Sequence, residues 1–127
     1  MARDREFEAM LSETLAPLGP VIVKGMFGGS GLFLDGLMFA LIADGVLFFK
    51  SDDATRADFD AECCGPFTYT RKGGQATLTS YWQAPERLLD EPDELVRWGR
   101  NAFGVARRAA SRKARPKGAK RKKSKDE

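Results

Sequence analysis

Two Asp-Gly pairs set nine residues apart constrain this chain more than any other feature. Asp35-Gly36 stands between Leu32-Phe33-Leu34 and the apolar run 37–43, and Asp44-Gly45 stands between that run and Val46-Leu47-Phe48-Phe49-Lys50. Asp and Gly both tolerate positive φ, which a two-residue hairpin turn with the right twist demands at both central positions. The spacing therefore predicts a three-stranded antiparallel meander with 37–43 in the middle, and every other element has to be arranged around it.

Upstream, Val21 to Val23 is a β-branched run, and Gly28-Gly29-Ser30-Gly31 separates it from Leu32-Phe33-Leu34. This predicts one long strand broken by a bend, with Gly28, Gly29 or Gly31 at positive φ or in a bulge and a neighbouring segment drawn close. Before it, Phe7, Met10, Leu11 and Leu15 recur at helical spacing, with Glu6, Glu8 and Glu13 as the solvated residues between. After the meander, Ser51-Asp52-Asp53 reads as the cap of a short helix carrying Ala57, Phe59 and Ala61. Cys63-Cys64-Gly65-Pro66 ends that helix, Phe67 to Thr70 alternates as a strand, and Ala76 to Gln83 follows the turn Arg71-Lys72-Gly73-Gly74. Asp90-Glu91-Pro92-Asp93 then opens a long helix whose buried stripe is Leu95, Trp98, Ala102, Phe103 and Ala106. The predicted fold is α+β, a two-layer sandwich in the order α-β3-α-β2-α on an antiparallel sheet. In its middle strand Leu37, Phe39 and Leu41 alternate with Met38, Ala40 and Ile42, so both faces are apolar. Helices on one side cannot cover both, which predicts a homodimer or partner surface on the other.

Charge divides the chain. Residues 1–106 carry ten basic and sixteen acidic residues, a net −6, and residues 107–127 carry eleven basic and two acidic, a net +9. With 43% hydrophobic and 10% aromatic residues the body can fold, whereas the tail has no apolar periodicity. The expected organisation is a domain over 1–110 and a disordered basic tail over 111–127. In the tail Arg112, Lys113, Arg115, Lys117, Lys120, Arg121, Lys122, Lys123 and Lys125 are candidates for weak, non-specific DNA contact, with Arg107 and Arg108 at its start. The acidic body should repel DNA. No run of eighteen apolar residues is present and the N-terminus lacks a signal-peptide core, so a cytoplasmic protein without membrane contact is expected.

The chain has no histidine. That removes the usual general base near neutral pH, the commonest metal ligand and every nucleophile-His-acid triad. The adjacent Cys63 and Cys64 are read as reduced and structural, since neighbours pair only in strained geometry and cannot close a four-ligand zinc site. Asp52-Asp53 reads as capping chemistry and Asp58 with Asp60 as a solvated helix face. Gly25 to Gly31 is followed by a strand, not by the helix N-terminus that a phosphate cradle needs. Phe67, Tyr69, Tyr81 and Trp82 could form a stacking platform, but few cations interleave with them and sheet aromatics are usually core. No catalytic residue, cofactor site or metal site is assigned, and a non-enzymatic protein is expected.

The run from Met26, Phe27, Gly28, Gly29 and Gly31 through Leu32-Phe33-Leu34, Asp35, Gly36, Asp44, Gly45 and Lys50 resembles the N-terminal domain of TfoX/Sxy proteins. The match continues through Pro66-Phe67-Thr68-Tyr69, Tyr81-Trp82-Gln83-Ala84-Pro85 and Leu88-Leu89-Asp90, spanning roughly residues 5 to 110. The resemblance implies a fold like the secretion-chaperone type and a non-catalytic regulatory role. It also implies a protein partner in transcriptional regulation: the family promotes natural competence together with the cyclic-AMP receptor protein. Full-length members add a second domain where this chain has its basic tail. The alternative is a chaperone-like binding module whose tail serves only solubility, with no role in transcription.

Overall fold

The computed structural model describes residues 5–26 and 29–114. Its elements run α1 (Arg5–Thr14), β1 (Ile22–Met26), β2 (Gly29–Leu34), β3 (Leu37–Ala43), β4 (Val46–Lys50), α2 (Arg56–Ala61), β5 (Pro66–Arg71), β6 (Gly74–Gln83) and α3 (Pro92–Ala114). Short 3-10 turns cover Ala16–Leu18 and Glu86–Asp90. The strands form one antiparallel sheet in the order β1-β2-β3-β4-β6-β5, which establishes the α+β class.

The meander is as the Asp-Gly pairs require. Asp35 and Gly36 have φ of 52° and 79°, and Asp44 and Gly45 have 52° and 74°, positive at both central positions of each turn. The expected long bent strand is corrected. The chain reverses between Met26 and Gly29, which pair with each other, so β1 and β2 are two strands of a hairpin. Four strands thus precede α2, and the order is α-β4-α-β2-α rather than α-β3-α-β2-α. Gly29 and Gly31 do not hold positive φ, and Gly28 lies outside the described residues. The close approach expected of the glycines is present: a Cβ on Gly29 would stand 2.1 Å from the carbonyl oxygen of Ile42.

The irregularity expected at the glycines falls elsewhere. Leu32 pairs with Ala40 and Phe33 with Met38, leaving Phe39 as an extra residue on β3. This bulge changes the strand's alternation, so the expected division into Leu37-Phe39-Leu41 and Met38-Ala40-Ile42 is also corrected. Leu37, Phe39, Ala40 and Ile42 belong with the core beneath the helices; Met38 and Leu41 do not.

That core joins Leu11 of α1 with Leu15, and Phe59 of α2 and Leu95, Ala102 and Ala106 of α3 with Leu32, Leu34, Leu47 and Phe49 of the sheet. Phe39 is fully buried and meets Phe103 edge-on with ring centroids 6.2 Å apart. The long helix extends to Ala114, past the boundary expected at Ala110. Arg107 and Arg108 are therefore residues of α3: Arg108 donates to the Asp52 carboxylate at 2.9 Å, and the Arg107 guanidinium lies 6.0 Å from the Phe103 ring centroid.

Helix ends follow their local chemistry. Asp52 caps the turn before α2 by accepting from the amides of Ala54 and Thr55 at 3.1 and 3.2 Å, while Arg56 begins the helix itself. Burial pushes the Asp52 carboxyl up, but Arg108 and the two amides outweigh it and hold the group below its ordinary value. The end of α2 closes with the Cys64 amide on the Phe59 carbonyl and the Cys63 amide on that of Asp60. Cys63 there takes the left-handed conformation usually given to glycine, at φ 60°. Both cysteines are free thiols.

Candidate functional site on the open face of the sheet

Each strand sends alternate side chains to opposite faces. Because all three helices pack on one face, the register defines what the other presents. Met26 of β1, Gly29 and Gly31 of β2, Met38 and Leu41 of β3, Phe48 of β4, Phe67 and Tyr69 of β5 and Leu78 of β6 occupy it. None of them belongs to the core cluster. Most of them line a groove of about 480 Å³, together with Ser30, Ile42 and Ala43.

Glycine is what makes the groove concave. A Cβ on Gly31 would come within 2.7 Å of the Met38 sulfur and 3.0 Å of the Met26 methyl, so the two thioethers occupy the space above a bare backbone. On the far side Phe67 and Tyr69 stack with centroids 5.5 Å apart and planes at 20°, and Phe48 meets Phe67 edge-on at 4.9 Å. Tyr69 and Leu78 are 39% and 37% exposed, which is unusual for large side chains of a sheet whose other face is closed.

The charged residues of the strands have one sign. The six strands contain no Asp or Glu, and their charged residues are Lys24, Lys50 and Arg71. The Lys24 ammonium stands 4.9 Å from the centroid of Phe33, and that of Lys50 4.9 Å from Tyr81. Tyr81 is buried and donates its hydroxyl to the Met38 carbonyl at 3.3 Å, and burial pushes its phenol up to about 12.

The acids lie in helices and turns. Arg87 binds Glu62 at 2.7 Å, Glu94 at 2.8 Å and Glu91 at 3.0 Å, tying the end of α2 to the start of α3. Hydrogen bonding to Arg87 holds Glu94 down at about 2 and lowers Glu62 as well, while the three carboxylates raise Arg87. Among the described residues no three of Cys, Asp and Glu converge to hold a metal ion, and no helix is long and apolar enough to cross a membrane.

The residues singled out in the sequence are distributed accordingly. Met26 and Gly29 line the groove, and Gly31 lies beneath the thioethers of Met26 and Met38; Asp35, Gly36, Asp44 and Gly45 make turns; Lys50 meets the ring of Tyr81. Trp82 points the other way, toward Phe59 and beneath Arg56, so the four aromatics considered as a platform are split between the two faces. Phe27 and Gly28 lie outside the described residues, as do Arg115, Lys117, Lys120, Arg121, Lys122, Lys123 and Lys125. Arg112 is exposed on the last turn of α3, and Lys113 is in that helix with its side chain outside the description.

Sequence reasoning missed Glu8, a buried acid whose carboxylate accepts from the Ser30 hydroxyl. A signal was present, because Glu8 stands three residues before Leu11 and so shares the inward stripe with Leu11 and Leu15. The Arg87 cluster had no comparable signal, since Glu62 is 25 residues away in sequence.

The arrangement is that of an α+β domain with one sealed face and one open apolar face. The family model for the TfoX N-terminal domain matches residues 13–106, and the chain belongs to that family. It is 33% identical over 79 residues to the DNA transformation protein TfoX1 of Aliivibrio fischeri, covering 62% of this chain and 37% of that protein. It is 26% identical over 94 residues to protein Sxy of Escherichia coli K12, covering 74% of this chain and 44% of that one. The chain thus aligns with less than half the length of either curated relative.

Proposed function

We propose that this chain is a non-enzymatic regulatory protein that acts in transcriptional regulation by holding another protein on the open face of its sheet. The observation that carries the reading is that face itself: a concave apolar surface with exposed Tyr69 and Leu78, left uncovered by helices that seal the opposite side. A contiguous exposed apolar surface is a ground for reading an interaction site. Membership of the TfoX N-terminal domain family, and the relative named as a DNA transformation protein, support the regulatory setting. The basic residues from Arg112 to Lys125 add weak, sequence-indifferent DNA affinity that keeps the protein near its target.

Two measurements test this. In cells, promoter occupancy by the full chain should be lost in a Tyr69→Ala/Leu78→Ser variant that remains folded. No occupancy by the unaltered chain would decide for a chaperone-like module with a solubility tail. In solution, if about five or six phosphates are contacted, log affinity for duplex DNA should fall against log salt with a slope near about −5. A chain ending at Ala114 should bind far more weakly, and equal affinity of the two chains at low salt would remove the tail from the mechanism.

A further inference from the structure

Which occupant suits the groove is a question of shape and charge. The groove is concave, about 480 Å³, and lined by Gly29 of β2 and the flexible thioethers of Met26 and Met38. A concave surface is filled by something protruding, and methionines adapt to the side chains that enter. A second copy of this chain would bring two concave faces together, and its strands would offer no carboxylate to Lys24. The chain's own tail has the same sign as Lys24, with eleven basic residues against two acidic over 107–127. The acids of the body lie off the six strands, so the charged residues of the strands that carry this apolar face are all cations.

From these observations, and resting on the reading of this face as a docking site, we infer that the occupant is an acidic amphipathic helix of another protein. Its apolar side chains enter between Met38, Leu41 and the Phe67–Tyr69 stack, and its carboxylates face Lys24. Complementary charge at the margin of the face orients the segment, and the groove supplies the affinity.

The test uses the full chain and two labelled helical peptides of about 15 residues, a length at which a helix can form alone. Both carry leucines at i, i+3, i+4 and i+7; one has glutamates at the remaining positions and the other lysines. The glutamate peptide should bind, and Tyr69→Ala/Leu78→Ser should weaken it about tenfold, the effect of losing roughly 1.4 kcal/mol of contact. Lys24→Glu, at an exposed position, should weaken the glutamate peptide by about threefold and strengthen the lysine peptide to a similar degree, the range of a single exposed charge pair. The tail is identical in all these proteins, so its own attraction cancels in the comparison. If the double substitution weakens both peptides while Lys24→Glu changes neither, the acidic preference is overturned and the docking reading stands. If neither variant alters the binding of either peptide, both readings fall. If the unaltered chain sediments as a dimer that Tyr69→Ala/Leu78→Ser dissociates, the occupant is a second copy and this inference is wrong.

Discussion

The two faces of the sheet are built from the same strands and from nearly the same kinds of side chain, yet they do different work. Beneath the helices Leu32, Phe39, Leu47 and Phe49 are essentially inaccessible and interlock with Leu11, Leu95 and Ala102. On the other face Phe48, Phe67, Tyr69 and Leu78 are equally apolar, but no helix covers them and Tyr69 and Leu78 remain exposed. The difference teaches that hydrophobicity alone does not say which face is core. What decides is whether a second layer exists to exclude water from it, since burial and not apolar character supplies the free energy.

The sharpest way to break this comparison is to truncate an aromatic on the helical face. Phe39→Ala should destabilise the domain by about 3 to 5 kcal/mol, read from the shift of its urea unfolding midpoint at unchanged slope. A loss no larger than that of an ordinary surface change would mean that the helical side is not the core.

The glycines of β2 offer a finer probe. At Gly29 the obstacle to a Cβ is the backbone carbonyl of Ile42, which cannot move without disturbing strand pairing, so Gly29→Ala should cost about 1 to 3 kcal/mol. At Gly31 the obstacles are mainly the flexible ends of Met38 and Met26, and Gly31→Ala should cost less than about 1 kcal/mol while narrowing the groove. Equal costs at the two positions would contradict the register.

Acid should act on one face only. Glu94 is held at about 2, below its ordinary 4.5, so it stabilises the folded state above its ordinary value and loses that contribution as pH falls from about 4.5 toward about 2. Glu62 is lowered by the same arginine and contributes with the same sign. An Arg87→Met variant should show a visibly shallower fall in stability across that window. A parallel pH profile for the two proteins would show that the cluster, which is solvated, has no measurable effect.

The smallest effect belongs to the open face. Leu78→Ser should leave stability within about 0.5 kcal/mol of the unaltered chain, because the side chain is already partly in water. A loss comparable to that of Phe39→Ala would mean that this surface is a second core and would withdraw the ground for a docking site.

Local chemistry made much of the architecture legible. The two Asp-Gly turns, the stop of α2 at Cys63-Cys64, the opening of α3 at Pro92 and the inward stripe Leu95, Ala102 and Ala106 are each decided by neighbours within a few residues, where φ preference and helical spacing act alone. The reversal between Met26 and Gly29 was not legible, because a glycine-rich interruption fits a bend and a hairpin equally well, and only pairing with a partner strand separates them. The bulge at Phe39 also depends on pairing, and it reassigned every later residue of β3 between the faces.

By itself, then, the sequence determined the meander, the helical segments, the polarity between an acidic body and a basic tail, and the presence of more apolar strand surface than one helical layer could cover. Tertiary structure alone decided which residues form that surplus, that they enclose a groove lined by Gly29 of β2, and that Arg87 and Arg108 tie α2 and the turn before it to α3. These depend on contacts between residues distant in the chain, whose geometry is set only when the layers pack and exclude water.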